Sequence, residues 1–205
     1  QDMQLEAARQ LDAQLQAAHG LDLLLGGQRR DRLLEHRERG TPGELGDQVA
    51  VGAGDGIGRA TAIRAAQLQA QVVAVDIRAE MLEQTMQQID AVGEQNALGI
   101  TGDISKPATI ERVFQRTMKS FGRIDGWANV AYLSIPAPIQ ELKIADFQSV
   151  VAVNLQSVWQ SAQRVAPVMA KQGGGAFVNI SSVLAHRTTP NISLYAMVKG
   201  GIEAL

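Results

Sequence analysis

The chain has 205 residues, is 45% hydrophobic and carries a formal charge of -2, enough for one well-packed domain and too little for two large ones. So small a net charge gives no electrostatic case for nucleic acid or an anionic membrane surface as partner. There is no cysteine, which removes disulfides, thiolate catalysis and iron–sulfur clusters and fits a reducing, cytoplasmic setting.

No apolar run is long enough to span a bilayer. The first residues lack the basic-then-apolar pattern of a signal peptide, and Asp2, Glu6, Asp12 and Asp22 count against a mitochondrial transit peptide. Residues 1–44 read as an N-terminal extension, partly helical, with no assigned function. Leu5, Ala8, Leu11, Leu15 and Ala18 recur at helical spacing, interrupted at Gly20 and Gly26-Gly27. Gln28 to Arg39 is polar and arginine-rich, and the interspersed Asp31, Glu35 and Glu38 favour a solvated helix face over an anion site. Thr41-Pro42-Gly43 reads as a linker. The alternative is a fusion or upstream translation product ahead of a domain that starts at Leu45.

From Gln48 the pattern is regular. A short apolar run, Gln48 to Val51, leads into Gly52-Ala53-Gly54-Asp55-Gly56-Ile57-Gly58 and then a helix over Ile57 to Gln69. Strand, glycine loop and helix in this order suit a dinucleotide: glycines let the backbone approach a pyrophosphate, and the helix N-terminus offers free N–H groups to it. Val72-Val73-Ala74-Val75 is a β-branched run suited to a buried parallel strand, ending at Asp76. Helix over Glu80 to Val92, stopped by Gly93, precedes a strand over Ala97 to Thr101 that ends at Gly102-Asp103. Ser105 is expected to cap the next helix, with Pro107 in its first turn. A strand over Ile124 to Val130 follows, then one long helix from about Ala145 to Gln172, ended by Gly173-Gly174-Gly175. Ala176 to Ile180 is a strand running into Ser181-Ser182. The last helix starts near Ser193 and is still running at Leu205. Strands alternating with helices give an α/β fold, a Rossmann-type doubly wound parallel sheet whose ligands bind at the strands' carboxyl ends.

Those ends direct attention to a few residues. Asp76 closes the second strand, where a carboxylate hydrogen-bonds the ribose hydroxyls of an adenosine and repels a 2′-phosphate. This favours NAD over NADP, although Arg78 nearby can accept a phosphate. Asp55 adds negative charge at the same corner. Tyr195 and Lys199 are four apart, hence one turn apart on a helix face. An ammonium beside a phenol lowers its pKa and lets the pair move a proton on or off a substrate oxygen. Ser182, at a strand end, can hold that oxygen. Asn154 lies in an apolar helical stripe, either as a satisfied core amide or as the anchor of a water that links Lys199 to solvent. His19, His36 and His186 are scattered, so no metal site is expected. Trp127 is expected in the core; Trp159 suits a core or an interface position equally.

These residues together resemble the classical short-chain dehydrogenase/reductase (SDR) family over about Leu45 to Leu205. The resemblance rests on the glycine loop, Asp76, Asp103-Ile104, Asn129-Val130-Ala131, Val153-Asn154-Leu155, Asn179-Ile180-Ser181-Ser182 and Tyr195 to Lys199. It implies an NAD(P)-binding domain over 45–205 and hydride transfer between a nicotinamide and an alcohol/carbonyl pair. It makes Tyr195 the general acid/base, Ser182 the group that orients the substrate oxygen, Lys199 the ligand of the nicotinamide ribose, and Asn154 the fourth member through a water. It places Gly52, Gly54, Asp55, Gly56, Ile57, Gly58, Asp76, Ile77, Asp103, Ile104, Asn129 and Ala131 around the cofactor. A homodimer or homotetramer is implied where the whole family fold is present, with Trp159 a possible anchor. The departures are Val51 in place of threonine, a shorter first strand, Tyr132 in place of the glycine in Asn-Asn-Ala-Gly, and a chain that stops after the Tyr/Lys helix. A sheet so truncated at the C-terminus is expected to leave an open edge and exposed apolar surface.

The sequence reading is an NAD(H)-dependent enzyme acting on the CH–OH group of a small secondary alcohol or its ketone. One alternative is a 3-oxoacyl-carrier-protein reductase-like enzyme using NADPH. Another, of a different class, is a non-catalytic nucleotide- or partner-binding module. Substrate identity is not legible.

Overall fold

The structure, a computed structural model, describes residues 45–92 and 96–205. The helix expected over Leu5 to Ala18, the arginine-rich stretch, the linker at 41–43 and the helix stop at Gly93 lie outside the described residues. In chain order the elements are β1 (Asp47–Val51), α1 (Gly56–Gln67), β2 (Gln71–Asp76), α2 (Ala79–Asp90), β3 (Ala97–Thr101), α3 (Pro107–Phe121), β4 (Gly126–Asn129), α4 (Ile144–Val151), a π turn (Ala152–Gln156), α5 (Ser157–Lys171), β5 (Ala176–Asn179), a 3-10 turn (Val183–Ala185) and α6 (Ser193–Glu203).

The strands form one parallel sheet in the order β3-β2-β1-β4-β5. The chain winds outward from β1 to β3, then crosses back through α3 to pair β4 with β1. The order therefore reverses between β1 and β4, and a crevice opens at their carboxyl ends. Side chains alternate along each strand. Val49, Val51, Val73 and Val75 join Trp127, Ile110, Val113 and Val165 on the face covered by α3 and α5. Ala50, Val72 and Ala74 join Ala62, Ala66, Leu82 and Ile89 on the face covered by α1 and α2. The alanines on that second face let α1 come close to the sheet.

Three local expectations need correction. Lys106, not Ser105, caps α3, without a side-chain hydrogen bond. Pro107 drives the residue before it out of the helical region, and Lys106 has φ -97, ψ 121. Ser105 instead donates its N–H to Asp103 Oδ1 in a local turn (2.9 Å). The fourth strand starts at Gly126 rather than Ile124, because the backbone N–H and C=O of Ile124 are taken by the Gln172 side chain. The long helix is not continuous: a π turn over Ala152–Gln156 divides it. At this π turn the Asn154 side-chain amide donates to the Val150 carbonyl at 2.8 Å.

Trp127 is in the core as expected, with its indole N–H on Asn129 Oδ1. Trp159 is 51% exposed and is not a core residue. β5 is the edge of the described sheet, with Val178 40% exposed.

Candidate active site

The glycine loop closes the carboxyl end of β1, and its neighbours hold it rigidly. Gly52 and Ala53 donate their N–H groups to the Val75 carbonyl at the end of β2. Val130 and Ala131, beyond β4, donate theirs to the Val51 carbonyl. From below, Thr85 Oγ1 donates to the Ala53 carbonyl at 2.8 Å, and the Arg59 guanidinium to the Gly54 carbonyl. Arg59 also reaches Thr85 Oγ1. Arg59 and Thr85 carry no sequence signal as loop supports; only the packing of α2 against α1 brings them there.

Glycine is required here by contact as well as conformation. A Cβ on Gly58 would lie 1.9 Å from the Gly52 carbonyl oxygen, and one on Gly52 2.6 Å from the Ala131 nitrogen. A Cβ on Gly54 would strike the Asp76 carboxylate. Gly56 is different: it has φ +50 and no atom within 4 Å of a Cβ, so it faces open space at the start of α1. Asp55 caps that helix, accepting the Gly56 N–H at 2.7 Å. This cradle of bare backbone beside a helix N-terminus and a strand-end carboxylate fits a dinucleotide.

Asp76 is 7% exposed; one carboxylate oxygen accepts the Gly54 N–H and the other the Arg78 N–H, with the Arg78 side chain at 3.4 Å. The oxygen that accepts the Gly54 N–H has a second lone pair to offer. Ile77 beside it is 62% exposed, whereas Ile104 is 6% exposed. Asn129 ties β4 to β5 through Asn179 Oδ1 (2.9 Å).

The other cluster stands across the crevice, where the chain leaving β5 meets α6. Ser182 Oγ accepts the Leu184 N–H and so shapes the 3-10 turn. Glu203 binds Ser181 Oγ at 2.7 Å and pairs with His186 Nε2 at 2.9 Å, which fastens this loop to α6. Lys199 is 3% exposed; its Nζ donates to the Ile180 carbonyl at 2.6 Å and lies 5.3 Å from the centre of the Tyr195 ring. Burial alone pulls the Lys199 pKa down. The Tyr195 phenol is raised, against the expectation that Lys199 would lower it: burial raises it most, the Ser182 hydroxyl holds it back, and Tyr132 raises it further. The reason is geometric, since the ammonium hydrogen-bonds the Ile180 carbonyl.

Asn154 is 1% exposed and uses its amide on backbone: to the carbonyls of Leu133 and Val150, both 2.8 Å, and from the Leu133 N–H at 3.3 Å. The core-amide reading of this residue accounts for these bonds, and the π turn is what aims the side chain at Leu133. Thus Ser182, Tyr195 and Lys199 come together, while Asn154 reaches them through the loop after β4. That loop also brings Tyr132, whose ring meets the Tyr195 ring edge-on, centroids 6.0 Å apart at 71°.

The fold and the site together define a class: a doubly wound α/β domain with a glycine loop and a Ser/Tyr/Lys cluster at the carboxyl ends of its strands. Residues 48–205 match the sequence model of the family described as short chain dehydrogenase, and the chain belongs to that family. It is 35% identical to a levodione reductase of Leifsonia aquatica over 159 residues, covering 77% of this chain and 60% of the relative. It is 33% identical to a 3-oxoacyl-(acyl-carrier-protein) reductase of Thermotoga maritima over 155 residues, 75% of this chain and 62% of the relative. Among solved structures, NAD+-bound xylitol dehydrogenase superposes with a TM-score of 0.75 at 27% identity, covering 80% of this chain and 63% of that one. Levodione reductase gives 0.73 at 33% identity, covering 78% and 62%. The chain thus spans about 60% of the length of such relatives.

Proposed function

We propose that residues 45–205 form an NAD(H)-binding catalytic domain that moves a hydride between nicotinamide and a secondary alcohol or ketone, with residues 1–44 an extension of unassigned role. The observation that carries this is the convergence of Ser182, Tyr195 and Lys199 across the crevice from the glycine cradle. A nicotinamide bound there supplies the hydride chemistry. The protein's part is to place the substrate oxygen between the Ser182 hydroxyl and the Tyr195 phenol and to move its proton. With its pKa raised, Tyr195 rests as the neutral phenol, ready to protonate a carbonyl oxygen; alcohol oxidation needs the phenolate. Oxidation is therefore expected to speed up as pH rises toward the phenol's pKa, and reduction to slow over the same range. Opposite limbs in kcat/KM profiles check this.

Asp76 behind Gly54 supports NAD over NADP, as does the NAD+ in the xylitol dehydrogenase relative. Arg78, half exposed beside Asp76, favours NADPH, and with it a 3-oxoacyl-reductase-like activity. Tighter NADPH than NADH binding in a fluorescence titration would decide for that second reading. The cysteine-free composition supports a cytoplasmic setting, and exposed Trp159 a homodimer or homotetramer. The direct test of the site is Tyr195→Phe: turnover should fall at least ~100-fold with NADH binding within about twofold of wild type. Retained turnover removes Tyr195 from its role.

A further inference from the structure

Among the described residues, Tyr132 is the large aromatic side chain that meets the Tyr195 ring. Its backbone is clamped on both sides. Ala131 before it packs against Gly52 and donates to the Val51 carbonyl. Leu133 after it is held at both its N–H and its C=O by the buried Asn154 amide. The same stretch is stitched to the loop ahead of α6, where Ala137 donates to the Asn191 carbonyl. The Tyr132 side chain thus projects from a fixed platform and meets the Tyr195 ring edge-on, yet it is 66% exposed. An exposed ring contributes little to a core. What this one does is present an aromatic face next to the phenol that handles the substrate proton. On the Ser182 side, Val183 follows directly and is 81% exposed.

We propose that Tyr132 is a specificity-determining residue, the aromatic wall of the substrate site, selecting alcohols and ketones carried on an apolar ring over open polyhydroxylated chains. The inference rests on the oxidoreductase reading above. Ser182 and Tyr195 satisfy one substrate oxygen. Every further hydroxyl laid on an aromatic face loses water without gaining a partner, which is unfavourable, whereas CH groups of a ring gain contact. Discrimination by such a wall is on the order of tenfold or more.

The test uses the full chain with two probes, cyclohexanol and xylitol, and the variants Tyr132→Phe and Tyr132→Ala. Wild type should favour cyclohexanol in kcat/KM by about tenfold or more. Tyr132→Phe should keep that ratio, and Tyr132→Ala should lose it mainly through the KM for cyclohexanol. A wild-type preference for xylitol, or an unchanged ratio in Tyr132→Ala, overturns the proposal. So does NADH binding that tightens about tenfold in Tyr132→Ala with the ratio unchanged, because the ring is then an obstacle to the cofactor. If wild type turns over neither probe, the oxidoreductase reading is what fails, and the Tyr132 contact is judged without activity. The chain has two tyrosines, so the ultraviolet absorbance of the phenolates reports Tyr132 and Tyr195 alone. The groups around the Tyr195 ring are Lys199, Ser182 and Tyr132. Tyr132→Phe should leave one phenol that titrates at lower pH than the upper step of wild type. A remaining phenol that titrates at the wild-type upper step shows no coupling and overturns the wall.

Discussion

Asp47 and Asp125 set two carboxylates at the amino ends of β1 and β4, far from the glycine loop. Asp125 accepts the Asp47 N–H at 2.8 Å and is gripped by the Arg123 guanidinium. Asp47 is 3% exposed, and its Oδ2 has no hydrogen-bond partner. Burial first, and then the Asp125 charge, raise its pKa to about 6, against a smaller lowering by Arg123. The folded protein therefore holds this proton more tightly than the unfolded chain, whose Asp titrates at about 4. The stabilisation is complete below about pH 4 and is lost as pH rises through about 6. Asp47→Asn, which keeps the shape without the charge, should be more stable than wild type at neutral pH and similar to it in acid. Urea unfolding at both pH values checks this; equal stability at neutral pH contradicts the strain. Nothing in the sequence announced it, because an acidic residue at a strand start reads as solvent-exposed until the neighbouring strand is known. Tyr195 teaches the same lesson: its spacing to Lys199 was legible, but the direction in which the ammonium points was not.

The join of β1, glycine loop and α1 was legible throughout, because each residue type there answers a local steric demand. Gly58 shows how strict the demand is. A Cβ there meets the Gly52 carbonyl at 1.9 Å, backbone against backbone, and no side-chain rotation can relieve it. Gly58→Ala should cost about 1–3 kcal/mol of stability and abolish dinucleotide binding. Gly56→Ala adds a methyl to open space and strains only the +50° φ, at about 1–2 kcal/mol. Calorimetry with NADH on both variants separates the cases, and unimpaired binding by Gly58→Ala contradicts the packing. The π turn was not legible, since Ala152 to Gln156 continues the apolar stripe and helical spacing does not count the extra residue. It is nonetheless what turns Asn154 toward Leu133. Asn154→Ala would leave the Leu133 N–H and C=O and the Val150 C=O without their partner. A loss of about 1–3 kcal/mol is expected, and near-wild-type denaturant midpoints would show that these bonds are replaced.

The alternation of strands and helices was enough to read a doubly wound sheet, but not which residues face one another across it. Tyr132 and Tyr195 meet only because β4 lies between β1 and β5, a neighbour relation set by the order of strands and not by spacing along the chain. The same order makes the glycine cradle a composite of β1, β2, the loop after β4 and α1. A ligand seated there touches both halves of the sheet, so binding is linked to global unfolding. At about a hundredfold excess over Kd, a ligand specific for the folded state adds ~2.7 kcal/mol. For a domain of this size that corresponds to a rise in melting temperature of about 5–10 °C. NADH should produce a shift of this order in wild type and equally in Tyr195→Phe, which lacks only the phenol oxygen. NADPH at the same concentration should produce less, because the Asp76 carboxylate behind Gly54 repels a 2′-phosphate. An equal shift with NADPH would move the cofactor preference to Arg78, and no shift with either would remove the dinucleotide from this crevice.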